Sequence, residues 1–189
     1  MKIYALRHGQ TDWNAANRIQ GRTDIPLNEA GRKQAAEAAA AISGSVDAVI
    51  SSQLVRAVET AAIIAEAKGL SRDDIIIDER LMERNFGDYE GLPVSSVDVF
   101  ALRRYTDNLP IPNGEAMGDV VERVFECLDE LLPSLAGKNV LIVAHGHVMR
   151  PISWYFEGLP EIGREVNIET HNCKLWCFDY DCKLRSNVI

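Results

Sequence analysis

Apolar residues along this chain fall into two rhythms. Short unbroken runs occur at Ile3-Tyr4-Ala5-Leu6, Ala48-Val49-Ile50, Ile75-Ile76-Ile77 and across Asn139–Ala144. Such runs predict strands covered on both faces, as in a parallel sheet. Between them the spacing changes to three or four. Asn28 offers a cap to a helix that opens at Glu29, runs through Lys33–Ile42 and stops near Ser43-Gly44. Ser51-Ser52 precede a second helix, Leu54 to Lys68, with the stripe Leu54, Val58, Ala61, Ala62 and Ala65 and an end at Gly69. Glu115–Leu132 is the clearest helix, striped by Val120, Val124, Leu128, Leu131 and Leu135, with Pro133 expected to bend or end it. A last helix is expected over Val148–Phe156, with Pro151 tolerable only in its first turn. Cys173–Tyr180 and Lys183–Ile189 read as two strands turning at Asp181.

Strands alternating with helices imply an α/β fold: three α/β/α layers, a mostly parallel central sheet and an antiparallel C-terminal edge hairpin. No composition shift divides residues 1–189, so one domain is expected. Residues 92–114 have the least regular pattern, with a short helix around Val97–Tyr105, and are expected to form a substrate lid.

Charge narrows the function classes. A net charge of -8 disfavours nucleic-acid and membrane-surface partners, and any anionic ligand then needs a local positive site. No apolar stretch reaches bilayer length, and the first strand begins directly after Met1, which leads us to expect a cytoplasmic protein. Cys127, Cys173, Cys177 and Cys182 lack the paired spacing of zinc sites and are read as reduced thiols.

The unusual polar residues cluster on this map. His8 follows the first strand, Arg56 opens the helix after the second, Glu83 lies in the loop after the third and His145 abuts the fourth. Open α/β sheets bind ligands at that carboxyl edge. Arginines and helix N-termini attract phosphate. A neutral histidine is a competent nucleophile toward phosphorus, and a carboxylic acid can protonate the departing oxygen. The chain has no phosphate-binding GxxxxGK[ST] loop and no clustered aspartates, so neither a nucleotide cofactor nor a metal is indicated. His147 reads as packing or support, His171 as a strand-edge residue, and Arg103-Arg104 as a solvated helix face, with contact to an anionic substrate as the alternative. Arg150 is either an ion-pair partner or a support for the site.

The motifs Arg7-His8-Gly9-Gln10-Thr11, Asn17-Arg18-Ile19-Gln20-Gly21, Ser51-Ser52 with Arg56-Ala57, Phe86-Gly87-Asp88 with Glu90-Gly91, Asn113-Gly114-Glu115 and His145-Gly146 occur in one order from Met1 to about Arg150. Together they resemble the histidine phosphatase superfamily, also called phosphoglycerate-mutase-like. The resemblance implies that His8 becomes a phosphohistidine, that Arg7, Arg56 and His145 hold the phosphoryl oxygens, and that Glu83 is general acid and then base. It implies that Asn14, Gln20, Gly21, Thr11 and Gly146 line the substrate pocket, with Arg18 in support. Arg-Ile-Gln-Gly and Phe-Gly-Asp-Tyr-Glu-Gly are similar to broad-specificity and ribazole-type phosphatases. This favours a metal-independent phosphomonoesterase acting on a small phosphorylated substrate. A cofactor-dependent phosphoglycerate mutase is the alternative, and a non-catalytic phospho-ligand binder a further one.

Overall fold

Each apolar run finds burial by pairing edge to edge with another. In the computed structural model, which describes residues 1–104, 107–161 and 170–181, the strands are β1 (Lys2–Arg7), β2 (Ala48–Ser51), β3 (Ile76–Ile77), β4 (Val140–Ala144) and β5 (Leu175–Asp179). They form one sheet in the order β3-β2-β4-β1-β5. All pairings are parallel except that of β5 with β1. The expected antiparallel edge is present, while its second strand, Lys183–Ile189, lies outside the described residues.

Among the described residues six α-helices accompany the sheet: α1 (Asp12–Ala15), α2 (Glu29–Ala41), α3 (Val55–Ala67), α4 (Val99–Arg103), α5 (Met117–Ser134) and α6 (Met149–Glu157). Side chains alternate across the strands with period two. Ile3, Ala5, Val140, Ile142 and Ala144 face a core shared with α5 and α6. Tyr4, Leu6, Leu141 and Val143 face one shared with α2 and α3. Each fully buried aliphatic side chain contributes on the order of 2 kcal/mol. Central β4 is buried at every position, which explains why its sequence reads as unbroken apolar.

Several local expectations are corrected. Ser51 belongs to β2, and α3 has no side-chain cap of its own; its first N–H donates instead to Asp24 Oδ1 at 2.8 Å. A carboxylate at a helix N-terminus is favourable, and a distant loop supplies it here. The helix after Asn28 ends at Ala41, two residues short of Ser43, where Lys68 Nζ caps Ile42 O at 2.6 Å. Pro133 sits within the last turn of α5 and the helix ends one residue later. α4 is only five residues long, and His171 lies in the loop before β5, not on a strand. The short helix α1, closed by a reciprocal cap between Thr11 and Asn14, was not foreseen.

A third apolar cluster lies off the sheet. Ile19, Phe86, Leu102 and Ile111 are buried together, with Tyr89, Val94 and Val97 against them. Beside it Arg84 is fully buried and donates to the carbonyls of Leu102, Glu115 (2.7 Å) and Leu109 (3.2 Å). One guanidinium thus ties down a stretch with little regular structure. Burial lowers its pKa to about 10, against the pull of Glu115.

Candidate active site

Sheet register brings the key residues level. Arg7 pairs with Ala144 and Ser51 with Val143, so His8, Ser52 and His145 leave neighbouring strands side by side. His8 N–H donates to Ala144 O (3.0 Å) and Ser52 N–H to Val143 O (3.1 Å), extending the ladder into the site. The chain can leave β1 so tightly because Gly9 lies against Gly31. A Cβ on Gly9 would stand 2.4 Å from Gly31 O, so close approach of α2 requires this glycine.

His8 is buried, and its Nδ1 lies 2.7 Å from Gly9 O. A carbonyl only accepts, so Nδ1 carries the proton and Nε2 is the unprotonated nitrogen, the one with a lone pair for a base or nucleophile. Arg56 Nε donates to that Nε2 at 3.2 Å. Burial, then Arg56 and Arg7, push the imidazole well below its ordinary pKa, so it is neutral across the physiological range. Arg56 is itself held by Thr23 O (2.9 Å) and Gly21 O (2.7 Å). Burial lowers its pKa to about 10, which leaves it cationic at neutral pH. Those two carbonyls are placed by Glu90, whose carboxylate accepts from Arg22 N–H, Thr23 N–H and the Thr23 hydroxyl within 2.9 Å. Gly21 has a φ of +55°, and a Cβ there would collide with Glu90.

Arg7 donates to Thr170 O at 2.9 Å, and its Nε is buried without a hydrogen-bond partner among the described residues. His145 stands behind His8, ring centroids 5.1 Å apart. Its Nε2 is 2.8 Å from Ser52 Oγ, which already accepts from Leu54 N–H. No other acceptor among the described residues takes the Ser52 hydroxyl hydrogen, so it goes to Nε2 and leaves the proton on Nδ1. That Nδ1 is buried and has no partner among the described residues. Burial, Arg56 and His8 hold this ring neutral too. Glu83, also buried, accepts from Arg84 N–H (2.9 Å) and His147 N–H (3.1 Å) on Oε1, and only a 3.4 Å contact from His147 N–H reaches Oε2.

These groups border a cleft of about 290 Å³. Arg7, His8, Arg56, Glu83, Asn14, Gln20, Gly21, Gly146 and Arg18 line it. His145 and Thr11 do not: His145 supports from behind, and Thr11 is fully buried as the cap of α1. Arg7, Arg18, Arg56 and Arg103 face one carboxylate, which is the local positive field that the acidic chain as a whole lacks.

Other lining residues escaped the sequence reading. Arg103 lines the cleft, whereas Arg104 turns to solvent and pairs with Asp107 at 2.7 Å. A five-residue helix gives no periodic pattern from which to tell the two apart. His147 contributes its N–H to Glu83 and its ring, edge-on to Phe86 at 4.8 Å, to the wall. Asn172 and Thr170 enter from the segment before β5, which no local pattern links to the site. Arg150 donates to Gly146 O at 3.2 Å.

Comparisons with known proteins show the family. The histidine phosphatase superfamily (branch 1) matches residues 3–185. Proteins named "Probable phosphoglycerate mutase GpmB" from Yersinia pestis and Yersinia pseudotuberculosis are 37% identical over 187 residues, covering 95% of this chain and 85% of theirs. A mycobacterial glucosyl-3-phosphoglycerate phosphatase solved with VO3 is 30% identical at a TM-score of 0.83, covering 93% of this chain and 90% of that one. A phosphoserine phosphatase from Entamoeba histolytica, solved with 3-phosphoglyceric acid, is 27% identical at a TM-score of 0.79, covering 94% and 90%. With a strand-end histidine, two arginines and a buried carboxyl around one cleft, this chain belongs to the histidine phosphatase superfamily, branch 1.

Proposed function

We propose that the protein is a metal-independent phosphomonoesterase that works through a phosphohistidine on a small phosphorylated metabolite. The observation that carries this reading is the neutral His8 imidazole, with Nδ1–H given to Gly9 O and the unprotonated Nε2 accepting from Arg56 Nε. Nε2 attacks phosphorus as the ester P–O bond breaks. Glu83 gives its proton to the leaving oxygen; Oε2 is the oxygen suited to carry it, since Oε1 already accepts two N–H bonds. Water then attacks the phosphorus, Glu83 takes its proton, and the N–P electron pair returns to Nε2. Arg7 and Arg56 hold the phosphoryl oxygens as charge builds, the kind of preorganised stabilisation that dominates such transfers, while His145 supports His8 from behind. Two guanidiniums supply the positive charge that a metal would otherwise bring.

The leaving-group side of the cleft favours a substrate with a second acidic group. Ile19, Phe86 and Val94 form an apolar wall, and Arg103 and Arg18 stand with it. A phosphorylated carboxylic acid fits that pairing. Phosphoglycerate is named for the mutase-like relatives and for one phosphatase, and a phosphoglyceric acid is bound in another. Segment 92–114 serves as lid in this reading.

Hydrolysis of p-nitrophenyl phosphate in the presence of EDTA tests the proposal, with intact-mass detection of a phosphoryl adduct that vanishes in His8→Ala. No EDTA-resistant turnover anywhere between about pH 4 and 9 would overturn it. The identity to the mutase-like proteins favours phosphoglycerate mutase as second reading. It requires isomerisation of 3-phosphoglycerate dependent on catalytic 2,3-bisphosphoglycerate.

A further inference from the structure

Two side-chain amides near His8 are oriented by groups that act in one sense only. Thr11 N–H can only donate, so the Asn14 atom 3.2 Å from it is Oδ1. His8 C=O can only accept, so the Asn172 atom 2.9 Å from it is Nδ2. The second hydrogen of that Nδ2 reaches Asn14 Oδ1 at 3.3 Å. Asn14 Oδ1 is therefore committed to two donors. Its Nδ2, which no described residue accepts from, is left to the cleft that Asn14 lines. An oxygen turned inward there would repel a phosphoryl oxygen, while an NH2 group donates to it.

Asn172 does not act from a loose position. It belongs to the segment that joins β1 from the edge side. Thr170 O accepts from Arg7 Nη1 at 2.9 Å, and Cys173 N–H donates to Arg7 O at 2.9 Å. Asn172 itself lines the cleft and touches the nucleophile's own carbonyl.

We propose that Asn172 is a positioning residue for phosphoryl binding: it locks the Asn14 amide with its NH2 toward the substrate phosphoryl group and braces the His8 main chain. The proposal rests on the phosphomonoesterase reading. The orientation of one amide is set by another contributed from far along the chain, and the two are energetically coupled.

A double-mutant cycle on the full chain tests this. Asn172→Leu keeps the size of the side chain and removes the donor without adding charge. Dissociation constants for inorganic phosphate at neutral pH are measured by isothermal titration for the wild type, Asn172→Leu, Asn14→Ala and the double variant, alongside p-nitrophenyl phosphate kinetics and melting temperature. We expect Asn172→Leu to weaken phosphate about tenfold, the loss of one charge-assisted hydrogen bond. In the Asn14→Ala background the same change costs less than about twofold. Equal losses in both backgrounds would overturn the proposal, because a purely structural role is indifferent to Asn14. Should Asn172→Leu fail to fold, Asn172→Ala also removes the donor without adding charge, and the coupling is read the same way. A wild type that neither binds phosphate nor turns over p-nitrophenyl phosphate would overturn the phosphatase reading and this proposal with it. A functional wild type with no coupling overturns the proposal alone.

Discussion

The two walls of the cleft are built on different principles. The His8 wall grows out of the sheet: His8, Ser52 and His145 follow strands in fixed register, and the backbone ladder continues into them. The opposite wall, from Glu83 to Glu115, has almost no regular structure. A small apolar cluster and arginines aimed at main-chain carbonyls hold it together. Glu115, for example, accepts from Arg123 Nε (2.7 Å) and Nη2 (3.0 Å) and from Asn85 N–H (3.2 Å). The first wall is suited to chemistry that tolerates little displacement. The second presents Ile19, Phe86, Val94 and Arg103 to the cleft.

Breaking the first wall has the largest expected effect. His8→Ala removes the proposed nucleophile and should lower kcat by at least about 10⁴-fold. Retention of more than a hundredth of the activity in steady-state assays would reassign the nucleophile. Arg56→Lys keeps the charge but loses the fork that spans Thr23 O, Gly21 O and His8 Nε2. We expect a drop of about 10²–10³-fold in kcat/KM, since lysine cannot make these bonds together. Near-wild-type kinetics for this variant would show that charge alone suffices.

Breaking the second wall should show first as lost stability. Arg84→Met fills similar volume but leaves the carbonyls of Leu102, Leu109 and Glu115 without their donor. A loss of about 2–4 kcal/mol is expected in urea unfolding. An unchanged midpoint would mean that water replaces the guanidinium. The acid limb of stability reports on the histidines of both walls. Burial, first among the causes, keeps His8, His145 and His147 neutral below the pKa that they have when unfolded. As pH falls below about 6.5 the unfolded chain binds protons that the folded chain refuses, so stability decreases. The slope is about 1.4 kcal/mol per pH unit for each histidine. Stability independent of pH between about 7 and 5.5 would contradict the burial of all three. The smallest effect isolates recognition. Arg103→Ala should raise KM for a phosphorylated carboxylic acid about tenfold and leave p-nitrophenyl phosphate within about twofold. Equal effects on both substrates would place Arg103 on the phosphoryl group itself.

This contrast also separates what could be read along the chain from what could not. Strand and helix order, the α/β class and the carboxyl-edge placement of His8, Arg56, Glu83 and His145 follow from local patterns: unbroken apolar runs need two covered faces, and striped segments need one. The motif order from Arg7 to Gly146 identified the family because it gathers nucleophile, cations and acid in one chain. Tertiary structure decided the rest. Only strand register shows His145 standing behind His8 and not beside the cleft. Only folding delivers Asp24 to the first N–H of α3, replacing the serine cap that local sequence suggested. Arg103 and Arg104 are chemically identical neighbours, and which one enters the cleft depends on how a five-residue helix lies over Ile19 and Phe86. Asn172 reaches His8 O and Asn14 because β5 pairs antiparallel with β1, a contact across more than 150 residues that leaves no local trace. Periodicity encodes which face of an element is buried; it carries no information on which distant side chain meets a given polar atom.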